Sequence, residues 1–208
     1  MATKLEVYNE AALILKLRPV DSLSENTPVR VTFDQAWAPV LRYMLGLANW
    51  HFAKRALAIQ AETSITPSYG YSAYFAKPDD FARLIGISAS AYGVPTLENY
   101  SEEGAYWAAN LQTLYIEYVS NGVTYGGDLG RWTPHFTTAV AHEIASRTGG
   151  KLTKLSGQEW QAMKKDSKDA LHKAKSLEAY AQPAQPYQMG QLVRSRLGGR
   201  GWRYYSER

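Results

Sequence analysis

The sequence predicts an α+β protein: a four-helix antiparallel bundle with an inserted small antiparallel β domain and an extended C-terminal arm. Three observations carry this expectation. Apolar residues recur at helical spacing before residue 50 and again after 132. Between 51 and 132 the pattern changes to alternation, aromatics and glycine. From 182 onward prolines, glycines and arginines replace any period. Residues 1–50 and 133–181 are therefore the two halves of a helical part, 51–132 the inserted β region, and 182–208 the arm.

Thr3 and Glu6 have capping-box spacing, and Leu5, Tyr8, Ala12 and Leu15 follow near a 3.6 period. Arg18-Pro19 is the expected end of that first helix, because a residue before proline avoids the helical region. Thr27-Pro28 is an N-cap with proline at the first helical position, and Phe33, Trp37, Leu41, Met44 and Leu47 make one apolar stripe. Pro39 interrupts that stripe, which calls for a kink or a restart.

Phe52–Ala61 reads as a weak strand and Ser64–Tyr71, with Pro67 and Gly70, as a loop. Tyr74–Asp80 leads into a strand over Phe81–Ser88. In Thr113–Val119, Leu114, Ile116 and Tyr118 share one face. Gly122, Gly126, Gly127 and Gly130 mark the next loop. Thr133-Pro134 opens a third helix with Phe136, Val140 and Ile144 inward, and Gly149-Gly150 is its expected stop. Ser156 and Glu159 box the start of a fourth helix, with Trp160, Met163, Leu171, Ala174 and Leu177 inward, until Pro183 and Pro186.

Composition narrows the function. With no cysteine, disulfides, thiolate metal sites and cysteine nucleophiles are excluded. No apolar run approaches the roughly 20 residues that span a bilayer, and Ala11–Leu17, broken by Lys16, is unlike a secretion signal. The charge is unevenly placed. Five arginines and one glutamate fall in the last 27 residues, which hold the whole net charge of +4; the remainder is neutral.

Catalytic and metal-binding patterns fail one by one. His142-Glu143 begins like a zinc-protease helix, but Ser146 stands where the second histidine is required. His135 and His142 lie seven apart on one helix without evident partners. Glu98, Glu102 and Glu103 in a loop-like stretch read as a solvated face rather than as a separated glycosidase pair. Gly126-Gly127-Asp128-Leu129-Gly130 lacks the lysine and hydroxyl of a phosphate-binding loop. The expectation is a non-enzyme without metal or cofactor.

Aromatics are the richer signal. Fifteen tyrosines and six tryptophans are present, and nine of the tyrosines lie in the β region. Some belong on strands by propensity, but tyrosine is also favoured at protein contacts. Tyr69, Tyr71, Tyr92, Tyr100 and Tyr125 are the candidate interface residues. In the arm, Arg194, Arg196, Arg200 and Arg203 interleave with Trp202, Tyr204 and Tyr205. Such a segment can stack on bases and pair with phosphates, or anchor in the pockets of a protein partner.

Taken in order, these features resemble the head–tail connectors of short-tailed bacteriophages, the adaptor or tail tubular protein A (head-completion) family. Ala11-Ala12-Leu13 to Pro19 with Ser22-Leu23 resembles the opening helix and its exit. Phe33-Asp34-Gln35-Ala36-Trp37 to Leu45, then Trp50-His51-Phe52-Ala53-Lys54, resembles the second helix and its aromatic closing step. Tyr74–Phe81, with Pro78 and Asp80, resembles the family's strand crossing. Leu114–Tyr118 resembles its late strand and Trp132–Leu155 its third helix. The likeness covers about residues 5 to 180 and rests on the order of many weak motifs.

The resemblance implies a structural virion protein of the neck, assembled in the host cytoplasm. It implies a twelve-copy ring under the portal that supports the tail nozzle protein, with DNA passing through its bore and no membrane contact. The helical part would meet the portal and the β part face the tail. Connector arms that run along portal subunits would make Arg194–Tyr205 a portal-binding segment. The alternative function is a nucleic-acid-binding module that uses the same arm.

Overall fold

The structure, a computed structural model, describes residues 2–93 and 96–181; the arm, with Arg194, Arg196, Arg200, Trp202, Arg203, Tyr204 and Tyr205, lies outside the described residues. Helix α1 spans Lys4–Ile14. Thr3 Oγ1 accepts the Glu6 N–H at 3.2 Å and Glu6 Oε2 accepts the Thr3 N–H at 2.8 Å, which completes the capping box. The helix closes earlier than Arg18-Pro19 suggests. Lys16 adopts a left-handed φ of 56°, while Lys16 and Leu17 donate backward to Leu13 and Ala12, a Schellman stop without glycine. Helix α2, Pro28–Gly46, starts at the Thr27 cap and continues through Pro39 as one helix.

Among the described residues six strands follow: β1 (Lys54–Gln60), β2 (Ala73–Ala76), β3 (Phe81–Ser88), β4 (Ser101–Glu103), β5 (Tyr106–Ala109) and β6 (Thr113–Ser120). They form two antiparallel sheets, ordered β1-β6-β3 and β2-β5-β4. Register shifts in β3, between Phe81 and Arg83 and between Leu84 and Gly86, break its period of two. Phe81, Leu84 and Ile87 therefore face the second sheet, while Ala82 and Ile85 face the helices.

Helix α3 spans Pro134–Leu152 and α4 spans Gly157–Ala181. The expected stop at Gly149-Gly150 does not occur; α3 continues through both glycines. A Cβ on Gly149 would lie 3.0 to 3.2 Å from Leu15, Leu155 and Met163, so this glycine serves close approach of neighbouring segments rather than termination. The Ser156–Glu159 capping box opens α4, with the Ser156 N–H donating to Glu159 Oε2 at 2.9 Å.

The expected four-helix bundle with an inserted β domain is not the arrangement found. Among the described residues four helices stand with two small three-stranded sheets, and the first sheet shares the helices' core. Helix α3 packs against α1, α2 and α4. By contrast α4 buries only Met163, Ser167, Ala174 and Glu178 of its 25 residues, so it lies outside α3 rather than completing a bundle. Trp160 and Leu177, expected inward, are exposed. The missing cover for the helices comes from Trp50, Phe52, Ala53, Val119 and Trp132. Phe136 is the hub: its ring centroid lies 4.7 Å from Trp50, 4.9 Å from Phe52 and 4.8 Å from Trp132. A helix pattern identifies an apolar face but not whether a helix or a sheet covers it.

A second, smaller core lies between the sheets. Phe75, Trp107 and Ala109 of one sheet meet Ile87, Leu114, Ile116 and Tyr118 of the other. The inward face of Leu114, Ile116 and Tyr118 is the one their alternation predicts.

Candidate protein-interaction site

The pairing of Gln60 with Thr113 and of Lys54 with Val119 sets two ends for the first sheet. At the Gln60 end the chain leaves β1 into residues 61–72 and leaves β3 into the segment after Ser88. These two segments carry Tyr69, Tyr71, Tyr92 and Tyr100. The Tyr71 hydroxyl donates to Asn99 Oδ1 at 3.2 Å, and the Ser72 N–H donates to Asn110 Oδ1 at 2.8 Å. Short turns also fix Tyr92, whose N–H donates to Ser90 Oγ at 3.3 Å while Gly93 donates back to the Ser90 carbonyl.

On this pinned backbone Tyr69 and Tyr92 are 92% and 91% exposed. Neither ring contributes to a core. Each presents apolar area and a hydroxyl to whatever meets that end. Tyr100 differs: it is half-buried against the second core. Tyr125 is placed elsewhere altogether, in the loop after β6 at the helical end, under the Arg55 guanidinium at 5.4 Å. The structure thus brings Tyr69, Tyr71, Tyr92 and Tyr100 to one end and leaves Tyr125 at the other.

Tyr125 borders a polar knot centred on Asp80, whose carboxylate accepts from Arg55 Nη1 and the Tyr118 hydroxyl, each at 2.8 Å, and from the Ser120 hydroxyl. Burial pushes this carboxyl up, but the donors from Ser120, Tyr118 and Arg55 prevail and hold it below the usual range. The same contact, after burial, pushes the Tyr118 hydroxyl well up, so it stays a donor. Gly126 lies close by, where a Cβ would collide with the Ser120 carbonyl and the Leu45 side chain. Its own carbonyl accepts the Trp132 indole N–H at 2.9 Å. The glycine-rich stretch that fails as a phosphate loop is a packing element tying β6 to the third helix's start.

The acids considered for hydrolysis stand on a surface. Glu102 and Glu103 are on the edge strand β4, where the residue pattern alone predicts loop; Lys77 holds Glu102, and the Tyr74 hydroxyl donates to Glu103 at 2.7 Å. His135 is exposed, and His142 Nδ1 is buried without a hydrogen-bond partner. Among the described residues no three histidine, aspartate or glutamate side chains gather as a metal site, and no helix is long and apolar enough to cross a membrane.

One feature escapes a reading of the sequence. An open groove of about 710 Å³ runs between α3 and α4, lined by Tyr43, Arg147, Lys151, Trp160, Lys164 and Lys168 among others. The spacing of Arg147 to Lys151, and of Trp160 to Lys164 to Lys168, puts each set on one helical face, a signal visible in the sequence. What it does not show is that the two faces line one groove. The chain matches no protein-family model and no curated protein.

Proposed function

We propose that the chain is a structural virion protein: a head-to-tail connector subunit that forms a ring between the portal and the tail nozzle, twelve copies by the family it resembles. Its place is the neck of the virion, with no catalytic task. The observation that carries the reading is the two-ended body. Tyr69 and Tyr92 stand exposed on pinned loops at one end of the strands, while the helices occupy the other. A part seated between two larger assemblies needs such opposite faces. Tyrosine on a fixed backbone suits one of them, because it adds contact area at low entropic cost. The ordered motifs from Ala11 to Leu155 support the same reading.

In this reading the helices meet the portal and Arg194–Tyr205 runs along it. The test is co-sedimentation with the portal protein of the same genome, comparing the full chain with one ending at Ala181. Stoichiometric binding lost on truncation fits both connector and arm. Binding that survives keeps the connector and removes the arm's role. No binding by either chain sinks the proposal.

The second reading, a nucleic-acid-binding module, is favoured by the five arginines among Trp202, Tyr204 and Tyr205. It requires DNA or RNA binding that falls steeply with salt and is lost with the arm.

A further inference from the structure

The groove between α3 and α4 is cationic, and its aromatic rings are already occupied. Lys164 Nζ lies 3.4 Å from the centroid of the Trp160 ring, and the Arg147 guanidinium lies 4.7 Å from that of Tyr43. A base seeking a stacking platform would have to displace these cations. The groove's carboxylate, Glu143, is engaged from within: Arg147 Nε donates to it at 2.7 Å and the Ser167 hydroxyl at 2.7 Å. Lys151, whose ammonium also donates to Gln35 Oε1 at 3.4 Å, lines the open groove with Lys164 and Lys168. A surface of this kind takes anionic oxygens such as those of carboxylates rather than stacked bases.

The same chain supplies them. The charge of the neutral body is divided: residues 54–120 hold seven acids and four bases, residues 121–181 hold nine bases and six acids, and residues 2–53 hold five of each. Within this excess Glu102 is paired with Lys77, whereas Glu98 and Glu103, just before and on the edge strand β4, are exposed, Glu103 accepting a hydrogen bond from the Tyr74 hydroxyl. This edge belongs to the second sheet, and the groove lies between the outer helix α4 and the exposed side of α3. One molecule therefore presents two unlike faces of opposite sign.

We infer that the α3–α4 groove receives the acidic β4 edge, through Glu98 and Glu103, of a second copy of this chain. Such a contact is heterologous: each copy offers its groove to one neighbour and its edge to the other, the relation that closes into a ring or continues as a filament. The inference rests on the connector reading, since that reading requires a ring, and names the faces that would meet in it.

The absence of native cysteine makes the test clean. The full-length chain carrying both Lys164→Cys and Glu102→Cys is treated with a flexible bis-maleimide at low salt, alone and with the portal protein. The expected result is a ladder of dimers, trimers and larger species. Mixing the two singly substituted chains should stop at dimers, and either single alone should give background. Adding Lys151→Glu and Lys168→Glu should cut the cross-linked yield at least tenfold. Adding Glu98→Lys and Glu103→Lys as well should recover most of it.

No ladder with or without portal overturns the inference. So does an oligonucleotide that binds the full chain, shields the thiol of the Lys164→Cys chain from the reagent and is released by the groove reversals; the groove is then a nucleic-acid site. Portal co-sedimentation with no ladder removes this contact and keeps the connector. A ladder without co-sedimentation keeps the contact and removes the connector.

Discussion

Asp34 in the helical region and Asp80 in the strand region are built alike and tie together different things. Asp34 accepts from Lys4 Nζ at 2.7 Å, the Tyr8 hydroxyl at 2.6 Å and Arg30 Nη1 at 2.7 Å. Asp80 has one cation, Arg55, and two hydroxyls. Asp34 joins α1 to α2, two helices held chiefly through α3. Asp80 joins the turn before β3 to β1 and β6, strands already paired along their length. In the first region a carboxylate bridges a sparse seam. In the second it satisfies hydroxyls that strand pairing has buried.

The difference matters because water can replace one set of contacts more easily than the other. The Asp34 side chain is 31% exposed and Asp80 19%. Behind Asp80, Tyr118 and Ser120 are buried, so its removal strands two hydroxyls. Behind Asp34, both cations reach solvent and one buried hydroxyl, that of Tyr8, would lose its acceptor.

The strongest way to break the comparison removes the core that both regions share. Phe136→Ala takes away the ring packed against Trp50, Phe52 and Trp132, two of which lie between α2 and β1 and one just before α3. A loss of about 3–5 kcal/mol is expected. Helical circular dichroism and tryptophan fluorescence should fall together in urea, because the first sheet and the helices share one core. Two separated transitions would mean that the regions fold independently.

Removing each carboxylate comes next. Asp80→Ala should cost about 2–3 kcal/mol, through a buried tyrosine hydroxyl and an arginine left unpaired. Asp34→Ala should cost about 1–2 kcal/mol, since solvent reaches both of its cations and only one buried hydroxyl, that of Tyr8, loses its acceptor. The knots share no partner, so the double variant should sum the two within about 0.5 kcal/mol. Urea midpoints at neutral pH test the order, and a larger loss at Asp34 would reverse the comparison.

Acid sharpens it further. The Lys4 ammonium first, with the Tyr8 hydroxyl and Arg30 guanidinium, outweighs burial and holds the Asp34 carboxyl far below the usual carboxylate range. Asp80 is also depressed, against its burial. A carboxyl lowered in the folded state contributes stability that is complete above its unfolded value, about 3.9, and is lost as pH falls toward its folded one. Asp34→Asn and Asp80→Asn should each flatten the fall in stability below about pH 4, with the greater flattening at Asp34. Equal slopes in wild type and both variants would deny that either knot is linked to protonation.

Local chemistry is legible where a few adjacent residues decide the outcome. The Thr3–Glu6 and Ser156–Glu159 boxes and the two Thr-Pro starts need no tertiary information. Ser101–Glu103 forms a strand against its weak propensity because β5 supplies a partner, and no period shows in three residues. Gly149 reads as a stop until Leu15 and Met163 are seen beside it. Trp160 reads as core because an amphipathic stripe does not reveal that its helix lies on the outside. Tyr69 and Tyr92 stand exposed while Tyr100 is half-buried, a distinction that composition does not make, and the α3–α4 groove shows in the sequence only as two separate helical faces, because nothing linear sets them beside each other or beside Tyr43 of a third helix.

The smallest effect on stability separates contact from scaffold. Tyr69→Ser with Tyr92→Ser should shift the urea midpoint by no more than about 0.5 kcal/mol in free energy, because neither ring is buried and the Tyr71–Asn99 bond that pins the loops is untouched. Tyr71→Phe is the matched control: it loses that bond but keeps the ring. In a connector the first variant should still co-sediment with the portal, whose contact lies at the helical end, and lose the nozzle protein at least tenfold. Tyr71→Phe should bind both, more weakly to the nozzle if loop rigidity contributes to the contact. A Tyr69 and Tyr92 variant that fails at the portal and holds the nozzle would invert the polarity of the body. One that binds both unchanged would make these rings ordinary surface tyrosines.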